Sequence, residues 1–209
     1  WFFFNGSSTN STYLGNRSGQ QVIFMYFSNG DKGNIPMNAQ NLNNAHGKIH
    51  RIKDDGSIPE DNPFQDSLGN RSSIWTYGNR NPQGLIYDSE NDRIWEVEHG
   101  PMGGDELNLI EKGKNYGWPI ITYGINYDGT PITEFTEKEG MEQPKHYWVP
   151  SIATCGIALV TSDKYPAWKG NILVAALAKQ HIARVEMNET TYVKEEKLLQ
   201  DIGRVRQVA

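Results

Sequence analysis

Short runs of β-branched and aromatic residues, each cut off within a few positions by Gly, Asn, Asp or Pro, constrain this 209-residue chain more than any other feature. Val22-Ile23-Phe24-Met25-Tyr26-Phe27, Arg93-Ile94-Trp95-Glu96-Val97, Ile120-Ile121-Thr122-Tyr123 and Asn171-Ile172-Leu173-Val174-Ala175-Ala176-Leu177 have the length and composition of strands. No window carries a helical stripe over three turns, so the expected fold class is all-β. Three segments, KIHRIKDDGSI, ELNLIEKGKN and HIARVEMNET, share a strand-then-turn pattern. Their spacing of roughly 60 to 75 residues exceeds one propeller blade and fits blades with long inserted loops.

Composition narrows the function classes. The net charge of −5 opposes a nucleic-acid backbone binder, which needs a basic face. The single cysteine, Cys155, excludes an intrachain disulfide framework and a multi-cysteine metal site, and within ATCGIALV it reads as a small buried residue. No run is long and apolar enough for a membrane span. The opening Trp1-Phe2-Phe3-Phe4 is too short, and lacks the basic flank, for a signal peptide. With 37% hydrophobic residues the chain can bury a core of its own as a single domain.

Polar chemistry concentrates in 77–129, where Arg, Asn, Glu, Asp, Gly, Pro and Tyr fill loops between short apolar runs. Three motifs follow one another there: Gly78-Asn79-Arg80-Asn81-Pro82-Gln83-Gly84-Leu85; Glu98-His99-Gly100-Pro101 with Gly103-Gly104-Asp105-Glu106-Leu107-Asn108; and Asn115-Tyr116-Gly117-Trp118-Pro119. Flanking them are Gly47-Lys48-Ile49-His50-Arg51-Ile52, Pro166-Ala167-Trp168-Lys169-Gly170-Asn171 and Arg204-Val205-Arg206. In this order and spacing the motifs resemble the soluble sugar dehydrogenases of the glucose/sorbosone dehydrogenase family, which bind pyrroloquinoline quinone (PQQ) and calcium. The resemblance covers 39–208; residues 1–25 match only loosely.

That resemblance implies a six-bladed β-propeller of which 1–209 is a partial domain covering part of the ring. It also implies oxidation of an aldose at the anomeric hydroxyl to a lactone, with electrons passing to an external acceptor, and a periplasmic or secreted location. A part-ring exposes unpaired strand edges, so the isolated chain is expected to be poorly soluble.

The implied site has two parts. PQQ carries three carboxylates, which planar guanidinium forks suit; the resemblance assigns cofactor contacts to Arg80, Asn81, Tyr127, Lys179, Arg204 and Arg206. An Arg-x-Arg pair on a strand points both side chains to one face. From the residues alone, Arg204 and Arg206 also read as an ordinary solvated strand face, and Lys179 as a solvated hairpin-tip lysine. Calcium takes six to eight oxygens, and the resemblance assigns it to the backbone carbonyls of Gly100 and Pro101, the Glu106 carboxylate and the Tyr116 backbone.

The catalytic base stays unassigned. The family places a histidine upstream, where matching Gly15 and Arg17 puts Tyr13, whose ordinary pKa near 10 makes a poor base at neutral pH. His46, His50, His99, His146 and His181 offer no evident substitute. An alternative function is a non-catalytic, calcium-stabilised propeller binding a protein or carbohydrate through exposed aromatic loops, with Trp95, Trp118, Trp148 and Trp168 kept for packing.

Overall fold

The computed structural model describes residues 9–16, 23–33 and 35–209, with 9–16 and 23 as backbone. Its first sheet holds β1 (Thr9–Asn16), β2 (Ile23–Asn29), β3 (Lys48–Lys53) and β4 (Ile74–Tyr77). The second holds β5 (Pro82–Asp88), β6 (Arg93–Glu98), β7 (Asp105–Ile110) and β8 (His146–Trp148). The third holds β9 (Thr154–Leu159), β10 (Ile172–Ala176), β11 (His181–Asn188) and β12 (Thr191–Leu198). Each sheet is an antiparallel meander in sequence order, so every pairing joins chain neighbours. The three strand-then-turn segments are β3, β7 and β11, the third strand of each sheet. Their repeat is therefore one per sheet.

β5 packs against both β1 and β9, so the first strands of the sheets lie side by side. Period-two alternation gives the second sheet two buried faces. Trp95, Val97, Leu107 and Trp148 meet Ile157, Ile172, Val174, Ala183 and Val185 of the third sheet. Leu85, Ile94 and Ile110 meet Tyr26, Ile49 and Trp75 of the first. Leu107, Ile172, Val174 and Val185 are fully buried, each worth about 1.5–3 kcal/mol of transfer free energy. Strands buried on both faces read as continuous apolar runs, which is why 171–177 is legible as a strand. The far edge, β12, is mostly exposed and charged, with Glu196 and Lys194 opposite Arg184 and Glu186 in register. A charged edge of this kind resists pairing with another chain.

Two expectations need correction. Ile120–Tyr123 is a turn, because the amides of Ile120 and Ile121 both donate to the Gly117 carbonyl, at 2.7 and 3.0 Å. Its β-branched side chains still pack inward, Ile121 and Thr122 being buried. Arg204 and Arg206 lie outside the named strands; their segment runs alongside β9, with the Gly156 amide donating to the Arg206 carbonyl at 3.0 Å. The valines still pack inward there, Val205 and Val208 on Cys155, Ala175 and Leu177, while Arg204 and Arg206 are exposed.

Alternating strand direction decides where function can sit. The β2–β3, β4–β5, β6–β7, β8–β9 and β10–β11 connections and the segment after β12 emerge at one end of the sheets. The long β7–β8 connection returns to that end, because Asn115 bridges Tyr77 in parallel at the close of β4.

Candidate functional site

The site starts from two glycine-bearing turns. Gly78 has a positive φ of 78°, and a Cβ there would lie 2.2 Å from Asn115 Oδ1 and 2.6 Å from the Gly117 amide nitrogen. Only glycine lets the turn after β4 lie this close to the 115–118 strip. At Gly100 a Cβ would lie 2.2 Å from the Gly103 carbonyl oxygen, so the 100–104 turn is folded tightly on itself. These close approaches bring together residues that are far apart in sequence.

Arg80 ties the two turns. Its guanidinium donates from Nη1 to the carbonyl oxygens of His99 (3.1 Å) and Gly100 (2.8 Å) and lies over the Trp118 ring at 5.2 Å. Trp118 in turn donates from Nε1 to Asp31 at 2.7 Å, and the Asp31 amide donates to the Arg80 carbonyl at 2.8 Å. Asn81 lies alongside, its Nδ2 3.5 Å from His99 Nδ1. Asp105, fully buried, holds the other turn: its carboxylate accepts from the Gly100 amide (2.9 Å), Ser151 Oγ (2.6 Å) and the Thr154 amide (3.3 Å).

Beneath Arg80 lies a cavity of about 10 Å³ lined by Glu98, Gly100, Gly104, Glu106, Tyr116 and Thr122, among others. That is the room of one water or ion. Its floor is acidic. Glu96 and Glu98 on β6 face Asn108 and Glu106 on β7 in register, and the Asn108 Nδ2 donor sits 3.1, 3.2 and 3.5 Å from Glu96, Glu106 and Glu98 oxygens respectively. One amide serving the buried Glu96 and Glu98 and the half-buried Glu106 leaves Glu96 Oε1 without a partner. Burial, then the neighbouring Glu98 charge, pushes Glu96 well above the ordinary carboxylate range, and burial with Glu106 nearby does the same to Glu98. Glu106 is pushed up by burial to about 7. A site this rich in buried carboxylate oxygen suits a hard cation. Among the described residues, no three His, Cys, Asp or Glu side chains form a metal-binding group by themselves, so carbonyl oxygens would have to complete any such shell.

Of the residues singled out from sequence, Arg80, Asn81, Gly100, Pro101, Glu106 and Tyr116 converge here. The Pro101 ring lies against Gly124. Tyr116 is buried, donates its hydroxyl to the Leu109 carbonyl at 2.6 Å and has its pKa raised well above 10 by burial. Arg206 sits at the margin: its Nη1 is 3.4 Å from Cys155 Sγ. Arg204, Lys179 and Tyr127 lie at the same end but make no direct contact with the Arg80 cluster. Lys179 is exposed in the β10–β11 turn, and Tyr127, 76% exposed, caps the 125–131 hairpin, which is joined to Met102 through Ile125. Tyr13 pairs with Tyr26 in the β1–β2 register; its side chain, and Arg17, fall outside the described residues.

Glu98, Asp105, Asn108 and His99 receive no role from the sequence reading. Glu-x-Glu on β6 and Glu-x-Asn on β7 is the signal that could have found Glu98 and Asn108, since period two puts each pair on one face; Asp105 lies in neither pattern. His99 borders Arg80, Asp105 and Arg206, has no partner at Nε2, and is held below its ordinary pKa chiefly by burial.

Three antiparallel meanders with polar, carbonyl-rich connections gathered at one end define a class of multi-sheet β protein with a polar site built from loops. Within that class, the chain belongs to the Glucose / Sorbosone dehydrogenase family, whose profile matches residues 10–209. It is 40% identical over 202 residues to the aldose sugar dehydrogenase YliI of Escherichia coli, covering 93% of this chain and 54% of that protein. The crystal structure of the soluble aldose sugar dehydrogenase of E. coli in its apo form superposes with a TM-score of 0.82 at 38% identity, covering 92% of this chain and 58% of that one. The PQQ-bound aldose sugar dehydrogenase of Streptomyces coelicolor superposes at 0.70 with 29% identity, covering 89% and 49%. The chain thus spans about half the length of the curated relatives it matches.

Proposed function

We propose that this chain carries the cofactor-binding side of a PQQ- and calcium-dependent aldose dehydrogenase, which oxidises the anomeric hydroxyl of an aldose to a lactone and passes the electrons to an external acceptor. Its three sheets are three successive blades of a six-bladed propeller, and the protein works in the periplasm or outside the cell. The observation that carries the reading is the convergence of Arg80, Gly100, Glu98 and Glu106 on an ion-sized acidic cavity, at the sheet end where Lys179, Arg204 and Arg206 are exposed. The relatives named above support the substrate class and the quinone.

Held here, the quinone would supply a hydride acceptor for the sugar carbon and calcium a Lewis acid beside it. The Gly100 and Pro101 carbonyls, the Glu106 carboxylate and the Tyr116 backbone supply oxygens to calcium. Arg80, Arg204, Arg206 and Lys179 neutralise the cofactor's carboxylates, with Asn81 and Tyr127 alongside. The cavity is too small for the quinone itself, so these side chains receive it across the open face of the loops. Asp105 keeps the Gly100 amide, and with it the turn, in place.

The test is an absorbance titration of the protein with PQQ and Ca²⁺, followed by excess aldose. The expected result is saturable, calcium-dependent binding and reduction of the bound quinone. No binding at any calcium concentration overturns the reading; binding without reduction overturns the catalytic part of it.

A further inference from the structure

We propose that Glu98 is a positioning residue for cofactor binding, acting through the backbone amides of Arg80 and Asn81; the inference rests on the PQQ reading above. Glu98 is the last residue of β6, 3% exposed, and its Oε2 accepts from the Arg80 amide at 2.6 Å and the Asn81 amide at 3.1 Å. Two consecutive amides aimed at one oxygen fix the backbone of the very dipeptide whose side chains face the ligand. The rest of that turn is anchored elsewhere: the Gly78 amide on the Ala39 carbonyl and the Asn79 amide on the Gly47 carbonyl. Pro82, next in the chain, has no amide to offer.

The arrangement grips Arg80 at both ends. Its amide rests on the Glu98 carboxylate, while its guanidinium rests on the carbonyls of His99 and Gly100, the two residues that follow Glu98. When the guanidinium leaves those carbonyls for an anionic ligand, the Glu98 anchor holds the main chain still, so little ordering is left to be done on binding. Glu98 also borders the acidic cavity. The alternative is therefore that its charge matters to the cation and its reach to the amides does not.

Conservative variants separate the two. Glu98→Gln keeps an acceptor oxygen at the same reach without the charge; Glu98→Asp keeps the charge but withdraws the oxygen by one methylene. PQQ dissociation constants are measured by absorbance titration at saturating Ca²⁺, in the wild-type protein and in an Arg80→Ala/Asn81→Ala background. The expected result is about tenfold weaker binding for Glu98→Asp, as befits buried amides losing their acceptor, and less than about threefold for Glu98→Gln. In the background lacking both side chains, the Asp penalty is expected to shrink below about threefold, because residues acting through one another are non-additive. The reverse order, Asp tolerated and Gln damaging, overturns the inference, and so does an undiminished penalty in the background. Failure of the wild-type protein to bind PQQ overturns it together with the proposed function, whereas wild-type binding with an additive cycle overturns it alone.

Discussion

Glu106 gives the metal-free protein a pH dependence opposite to that of an ordinary paired carboxylate. Burial pushes its carboxyl from 4.5 to about 7, so between those values the folded state holds a proton that the unfolded chain has released. Stability is then complete below the unfolded value and falls as pH rises through the folded one. At about 1.4 kcal/mol per unit, this loss reaches about 3 kcal/mol by pH 8. For a domain of this size that lowers the melting temperature by about 6–12 °C. The assay is a series of thermal melts in EDTA from about pH 4.5 to 8, comparing wild type with Glu106→Gln, whose amide cannot titrate. His50 and His99, both lowered chiefly by burial, act with the opposite sign, but both are present in the two proteins and largely cancel in the difference. Glu96 and Glu98 act with the same sign as Glu106, and because its charge helps to raise both, removing it relaxes them too and adds to the difference in the same direction. The wild type should fall steadily relative to the variant as pH rises, and added Ca²⁺ at pH 8 should restore the wild type more than the variant. A wild-type-to-variant difference that stays flat across the range, or runs the other way, refutes the reasoning.

Other substitutions test separate parts of the structure. Leu107→Ala, at a fully buried position between the second and third sheets, should cost about 2–5 kcal/mol in urea unfolding; a cost below about 1 kcal/mol would mean that the two sheets do not share this core. Gly78→Ala must displace Asn115 or the Gly117 backbone, and should lower both the melting temperature and PQQ affinity; unchanged values for both would rule out the close approach. Arg206→Ala, at an exposed position, should leave stability within about 0.5 kcal/mol while weakening PQQ binding about tenfold, and equal affinity in the titration would remove Arg206 from the site.

What the sequence disclosed followed burial. β6 and β10 stand out because most of their residues are buried, and β3, β7 and β11 recur because each occupies the same place in its sheet. β5 did not stand out: it opens on Pro82 and contains Gly84, both unfavourable strand residues. The structure explains Gly84, since a Cβ there would lie 2.5 Å from the Cys155 carbonyl oxygen, where β5 and β9 pack. Residues 120–123 misled because β-branched side chains were buried by a turn. At the site, Arg80, Asn81, Gly100 and Glu106, which the structure brings together, stood out in the sequence through their motifs. Glu-x-Glu could point to Glu98 as a residue on a polar face, but the turn-holding roles of Glu98 and Asp105 were hidden because a hydrogen bond from side chain to a distant backbone amide leaves no mark in the chain.

The connections 54–73, 89–92, 160–171 and 189–190 leave the sheets at the end opposite Arg80. The tight β11–β12 turn carries Glu189 with φ 55°; Asn188 and Glu189 are exposed and Thr190 is half-buried. The protein therefore has a working end and a handling end. A surface tether placed at 189–190 would orient the molecule with the loops around Arg80 facing away from the support, open to solution.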